Sequence, residues 1–216
     1  MRHMDALTSA SGSSVSSSAP PEAVGTRCPL LLGHLETRNP QRRIVVADTA
    51  RASPRSLAAY AHLRGRFAFL GIPDELTAQG EDVVDALAAG LARYGARVQD
   101  LMLLWDLPNY LDADGLARMA VALRRGLRTG GRLHMLVASS QRWVSDRPGH
   151  YEILPGWAGV VVEQGEPVRQ APRYTPWQVE QAFQGFETER SVLLRSGMQE
   201  YLLRLKMSAS TPDEAG

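Results

Sequence analysis

Two hydrophobic periods alternate along this chain. Arg43–Asp48 is a continuous apolar, β-branched run between a basic and an acidic residue, the pattern of a strand buried on both faces. Ser53 then offers an N-cap with Pro54 at the first helical position, and Leu57, Tyr60, Ala61 and Leu63 follow at near-helical spacing up to Gly65. Arg66–Gly71 predicts a second strand. Val83, Val84, Leu87, Leu91 and Tyr94 line one face of a helix that Gly95 ends. Asp100–Trp105 predicts a third strand. Asp112 or Asp114 caps the next helix, whose apolar face is Leu116, Met119, Leu123 and Leu127, with Arg124, Arg125 and Arg128 in its last turns, where cations suit the helix dipole. Gly130-Gly131 breaks it before a fourth strand, Arg132–Ala138. Thr175-Pro176-Trp177-Gln178 carries a capping box that opens a helix to about Gln184. Thr188–Arg195 and Gln199–Leu205 read as two strands joined across Ser196-Gly197.

Strands alternating with helices and ending in a hairpin predict an α/β fold. The expected form is a three-layer sandwich with a mostly parallel sheet and an antiparallel C-terminal hairpin strand. Residues 1–25, rich in Ser, Ala and Pro, cannot build a core and are expected as a disordered tail, as are 208–216 as a flexible one. The domain is placed at 26–207. The formal net charge of +1 gives no electrostatic reason to expect nucleic acid or an anionic membrane as partner. The arginines Arg42, Arg43, Arg51, Arg55, Arg64 and Arg66 read as a solvated face. Cys28 is the single cysteine, so no internal disulfide forms. No apolar run approaches the roughly 20 residues of a membrane span, and a cytoplasmic location is expected.

The candidate chemistry lies where strands meet loops. Open α/β sheets bind ligands at the carboxyl ends of their strands, and a nucleotide-type site places a glycine-rich turn after the first strand. That turn here holds Ala50, Ala52 and Pro54. Asp48 either caps backbone amides of the following helix or touches a ligand; Asp106, Asn109 and Tyr110, after the third strand, read as loop anchors. His3, His34, His62, His134 and His150 show no metal-ligand spacing, so no metal is expected. Neither a Gly-x-Ser-x-Gly elbow nor a Walker loop is present. Residues 141–174 exceed an ordinary connection and carry Trp143, Tyr151, Trp157 and Tyr174, with Gly159–Val168 as a possible small hairpin.

Over roughly residues 40–206 the chain resembles the class I S-adenosylmethionine-dependent methyltransferases. Asp100-Leu-Met-Leu-Leu-Trp-Asp-Leu-Pro-Asn-Tyr-Leu111 is similar to that family's fourth strand and following loop. Leu127-Arg-Thr-Gly-Gly-Arg-Leu133 is similar to its Leu-Arg-Pro-Gly-Gly turn, with Thr129 for proline. The resemblance implies a methyl-donor site led by Asp-x-Gly-x-Gly-x-Gly. Asp48 matches it, whereas Ala50, Ala52 and Pro54 stand on the glycines. The acid that would hold the ribose is displaced to Asp74, and the family's third strand has no counterpart.

Alanine at a positive-φ glycine position costs roughly 1 kcal/mol, and a lost charge-assisted hydrogen bond roughly 1.5–3 kcal/mol. Together these remove several powers of ten in affinity. The expectation is a methyltransferase-like pseudoenzyme with no cofactor, its cleft degenerate at Asp48, Ala50, Ala52, Asp74 and Asp106. The alternative is an active methyltransferase that holds S-adenosylmethionine with an atypical loop. With the cleft unemployed, function is expected in protein binding or self-association through the 141–174 segment. Trp143 or Trp157 would anchor that contact, flanked by Arg142 and Arg147.

Overall fold

The structure is a computed structural model that describes residues 24–74, 82–94 and 99–207. In chain order its strands are β1 (Val24–Thr26), β2 (Ile44–Asp48), β3 (Gly65–Phe69), β4 (Gln99–Leu103), β5 (Leu127–Ala138), β6 (Trp143–Ser145), β7 (His150–Ile153), β8 (Val160–Glu163), β9 (Pro167–Gln170), β10 (Phe186–Leu193) and β11 (Met198–Leu205). The helices are α1 (Pro29–Glu36), α2 (Pro54–Tyr60), α3 (Val83–Arg93), α4 (Ala113–Gly126) and α5 (Pro176–Ala182).

The main sheet has the order β10-β11-β5-β4-β2-β3. β2, β3, β4 and β5 run parallel, β11 runs antiparallel beside β5, and β10, antiparallel to β11 across the C-terminal hairpin, points with the parallel strands again. The fold is therefore the mixed, methyltransferase-like α/β sandwich expected. Alternation along the central strands feeds both layers. Met102, Leu104, Leu133, Met135 and Val137 pack with α3, α4 and α5, while Leu101, Leu103, Leu136 and Ala138 face α1, α2 and the 141–174 excursion. Strands buried on both faces need continuous apolar runs, which is why β2 and β4 are legible in the sequence. The caps form as their residue types require. Ser53 Oγ accepts from Ser56 N at 3.1 Å, Asp112 Oδ1 from Gly115 N at 2.7 Å, and Thr175 and Gln178 form the capping box.

Four features differ from the sequence reading. Helix α4 stops at Gly126, and β5 begins at Leu127, so Gly130-Gly131 lies within the strand. There the ladder to β4 jumps from Gln99↔Leu127 to Leu101↔Arg132, and Gly130, at φ 73°, takes up the extra length. The hairpin expected at 159–168 does not form. β8 instead pairs with β7 and β1, and β9 pairs with β6, because two strands in sequence need not be partners when others offer longer edges. Val24–Thr26 pairs with Val160–Val162, so part of the segment expected as tail is strand. Helix α1, which has no strong apolar period, went unforeseen. Residues 1–23 and 208–216 lie outside the described residues.

β2 lies between β3 and β4, with the chain leaving in opposite directions on its two sides. The crevice beyond its carboxyl end is the place where an open sheet would take a ligand.

Candidate functional site

β2 delivers Asp48 to that crevice, where the side chain is 1% exposed. Its Oδ1 accepts from Trp105 Nε1 at 2.6 Å and from Ala50 N at 2.9 Å. Its Oδ2 has no hydrogen-bond partner, nor has the buried Tyr60 hydroxyl. The Tyr60 hydroxyl adds a pull on the carboxylate smaller than those of the Trp105 and Ala50 N–H groups. Burial pushes the Asp48 carboxyl up to about 7, against the opposing pull of the Trp105 and Ala50 N–H groups.

The turn after β2 is stitched to the turn after β3. Leu70 N donates to Asp48 O at 2.8 Å, Ile72 N to Thr49 O at 2.9 Å and Gly71 N to Ala50 O at 3.2 Å. Gly71 sits at φ 65°, which lets the chain fold back onto Ala50. The backbone where a glycine turn would face a ligand is thus bonded to protein. Asp74, the displaced acid, is half-exposed and pairs with His150 Nε2 at 3.0 Å and Arg51 Nη1 at 3.7 Å. Ala52 lies in the same turn, ahead of the Ser53 cap.

Trp105 fills the crevice beyond β4. It adopts φ 51°, a left-handed conformation unusual for an aromatic residue, and this aims the indole across the carboxyl end of β2. The ring stacks on Tyr151 of β7 at 4.8 Å and an interplanar angle of 2°, and meets His134 edge-on at 5.4 Å. Asp106 beside it is equally buried. Both its oxygens accept from Gly149 N at 3.2 Å, and Oδ2 also accepts from Gln164 Nε2 at 3.0 Å. Burial lifts this carboxyl, too, to about 7, with the Gly149 N–H pulling the other way. Asn109 is the anchor expected: Nδ2 donates to Asp106 O and Leu136 O, and Oδ1 accepts from Ala138 N at 2.7 Å. Tyr110 donates its hydroxyl to Arg147 O at 2.7 Å.

The structure therefore brings Asp48, Ala50 and Asp106 together at one strand edge, with Asp74 at its rim. It separates the two tryptophans. Trp143 on β6 is 45% exposed, with the Arg142 guanidinium 5.9 Å from its ring centre. Trp157 is half-buried, edge-on to Tyr60 at 6.2 Å and His62 at 4.9 Å.

One cluster escaped the sequence reading because its members are far apart along the chain. Cys28, His134 and Glu200 are all buried, with potential ligand atoms within 4.8 Å of one another. Glu200 accepts from Leu30 N at 3.1 Å and Leu31 N at 3.0 Å, and its Oε1 lies 3.1 Å from His134 Nε2. A carboxylate serving two first-turn amides of α1 is a cap supplied by a distant strand. Burial, followed by the Glu200 charge, pushes the Cys28 thiol well above its usual range, which opposes the thiolate a metal needs. The cluster ties α1 to β5 and β11.

A groove of about 760 Å³ lined by Arg124, Arg125, Arg128 and Lys206 opens at the amino end of β5, away from the strand-end acids. Among the described residues no helix is long and apolar enough to cross a membrane.

The sheet order and its flanking helices define an open-sheet α/β protein with a mostly parallel sheet and a C-terminal hairpin. No family model matches the chain, and no curated protein does. Among solved structures it is similar to an S-adenosylmethionine-dependent methyltransferase from Clostridium acetobutylicum, with 13% identity over 82% of this chain and 89% of that one and a TM-score of 0.46. It is also similar to the Burkholderia thailandensis 1,6-didemethyltoxoflavin-N1-methyltransferase with bound S-adenosylhomocysteine, at 18% identity, 82% and 76% coverage and a TM-score of 0.44. A third is a glycopeptide N-methyltransferase complexed with S-adenosylmethionine, at 15% identity, 91% and 100% coverage and a TM-score of 0.41. The fold assignment rests on the sheet order itself.

Proposed function

We propose that this chain is a methyltransferase-like pseudoenzyme that takes no methyl donor and works as a protein-binding module. The observation that carries the reading is the commitment of the strand-end acids. Asp48 gives its Oδ1 to Trp105 Nε1 and Ala50 N while its unpartnered Oδ2 is enclosed, and Asp106 accepts from Gly149 N and Gln164 Nε2. A ligand reaching Asp48 would have to expel the stacked Trp105 indole, and one claiming Asp106 would have to break buried, charge-assisted bonds of roughly 1.5–3 kcal/mol each. The loop without glycines supports the same reading, since its Asp48, Thr49 and Ala50 carbonyls accept from the β3 turn and its Thr49 and Ala50 N–H groups donate to Leu103 O and Asp48 Oδ1.

The excursion between β5 and α5 is the working surface on this account, with Trp143 its exposed anchor. Trp157 serves instead to seat the excursion on α2. Exposed aromatics flanked by arginine are the side chains that most often carry interface energy. The test is a thermal melt of the full chain with S-adenosylmethionine and, separately, S-adenosylhomocysteine at millimolar concentration. The expected result is an unchanged midpoint, because a ligand stabilises only by binding the folded state. A concentration-dependent rise with either compound would restore the enzyme reading.

A further inference from the structure

We propose that the groove at the amino end of β5 is a binding site for a soluble organic phosphate. The phosphate dianion of such a monoester meets the groove's cations, and its apolar body lies on the groove's aliphatic wall. The site is at the opposite edge of the sheet from the closed crevice, and it stands apart from the reading of the excursion as a partner surface.

The groove's volume of about 760 Å³ falls in the range of small-molecule sites. Arg124, Arg125, Arg128 and Lys206 line it, and no acidic residue does. Cations in the last turn of α4 complement the helix dipole, which accounts for Arg124 and Arg125. The dipole does not account for Arg128 on β5 or for Lys206 just beyond β11, which reach the same groove from other elements. The helix end itself carries roughly half a negative charge, and four cations outweigh it.

Two of these cations are held in place. Gly185, at φ 94°, leaves open the space that a Cβ would take, and the Arg124 side chain lies across it with Nη1 donating to Gln184 O at 3.3 Å. Arg128 is anchored through Nε to Asp100 Oδ1. Asp100 does not neutralise the field there, because its Oδ2 is taken by Val45 N at 2.6 Å and other arginines lie close by. Burial holds the nearby Arg38 guanidinium below its usual range. Asp100 pulls the other way, and the charges of Arg128, Arg42 and Arg132 push it lower again. Cations fixed before a ligand arrives cost less to order when it binds.

The residue types select the ligand. Guanidinium forks match phosphate and carboxylate alike, but a phosphate monoester brings close to two negative charges at neutral pH and a carboxylate only one. Four cations favour the dianion. Val121 and Met207, both exposed, join Leu127 and Leu205 as the aliphatic wall, which inorganic phosphate would leave wet.

The test is isothermal titration calorimetry of the full chain in low-salt buffer with phenyl phosphate, and with inorganic phosphate as the control that lacks a body. Phenyl phosphate is expected to saturate a single site with a Kd below about 1 mM, and inorganic phosphate to bind at least about fivefold more weakly. Arg125→Glu and Lys206→Glu, at exposed positions, should each weaken phenyl phosphate at least about tenfold. Arg66→Glu, which removes an exposed cation from β3 at the far side of the sheet, should change it by less than about twofold. No saturable heat up to about 10 mM would overturn the proposal. So would an Arg66→Glu loss as large as those of the groove variants, which would reduce the binding to net charge. Co-sedimentation with vesicles of phosphatidylcholine and phosphatidic acid in equal parts, without phenyl phosphate binding, would overturn it in favour of a membrane surface. S-adenosylmethionine carries no phosphate, so this titration and the methyl-donor melts succeed or fail separately.

Discussion

Replacing Asp48 by Asn should stabilise this protein at alkaline pH, an unusual outcome for an acid at the ligand-binding edge of an α/β sheet. The carboxyl's folded value of about 7 stands above its ordinary 3.8. Between those values the folded state keeps a proton that the unfolded chain releases, so stability falls as pH rises. The contribution is fully present below about pH 4 and is lost as pH climbs through about 7. Roughly three pH units at 1.36 kcal/mol each set its scale at about 4 kcal/mol. Asp106, lifted to about the same value, slopes the same way. Asn keeps an oxygen for Trp105 Nε1 and Ala50 N and brings an NH₂ to the position where Oδ2 and the Tyr60 hydroxyl lack partners. Urea unfolding of both proteins at pH 5, 6, 7 and 8 measures the difference. The variant should gain on the wild type as pH rises, by about 2 kcal/mol or more at pH 8, while Asp106 goes on lowering stability toward pH 7 in both proteins, opposed below about pH 6.5 by His34, whose imidazole burial pushes down to about 4. Parallel slopes, or a variant weaker at pH 8, would refute the assignment of Asp48 as a buried structural carboxyl.

Other substitutions probe the surrounding structure. Asn109→Ala leaves Ala138 N without its acceptor and takes the side-chain donor from Leu136 O, while Asp106 O keeps the residue-109 amide, and it should cost about 2–4 kcal/mol in a denaturant titration. Glu200→Ala uncovers Leu30 N, Leu31 N and His134 Nε2, with an expected loss of about 3–5 kcal/mol by the same measurement. Leu103→Asp buries an unpaired charge where the side chain is fully enclosed, and circular dichroism should show an unfolded chain. Trp143→Ala should leave the unfolding free energy within about 0.5 kcal/mol of wild type, whereas Trp157→Ala should lower it by about 1–2 kcal/mol, read by urea unfolding, as its ring leaves Tyr60 and His62.

The parts of the fold legible in the sequence are those whose causes are local. β2 and β4 show as apolar runs, Ser53-Pro54 and the Thr175 box as caps, and α3 and α4 as apolar stripes. What escaped depends on distant partners. β1 is three residues long and exists because β8 offers an edge, and α1 is capped by Glu200, far along the chain. Local turn chemistry suggested that Gly130-Gly131 ended a helix, but tertiary pairing with β4 drew the strand back to Leu127.

At the site, the missing glycines were visible and the blocked cleft was not. Trp105 read as the last residue of a strand. Its positive φ, its bond to Asp48 and its stacking on Tyr151 arise only once the excursion folds back over the sheet. The tryptophan pair likewise looked equivalent until α2 claimed Trp157.

The most direct test of the account is a thermal melt with S-adenosylmethionine titrated to about 1 mM. A working site with a dissociation constant of about 10 µM would gain about 2.7 kcal/mol at that concentration, enough to raise the midpoint of a domain this size by roughly 5–10 °C. With Trp105 and the β2–β3 stitching in place, the account predicts a shift below about 1 °C, unchanged in the Asp48→Asn variant. A saturable rise of several degrees that Asp48→Asn abolishes would contradict it.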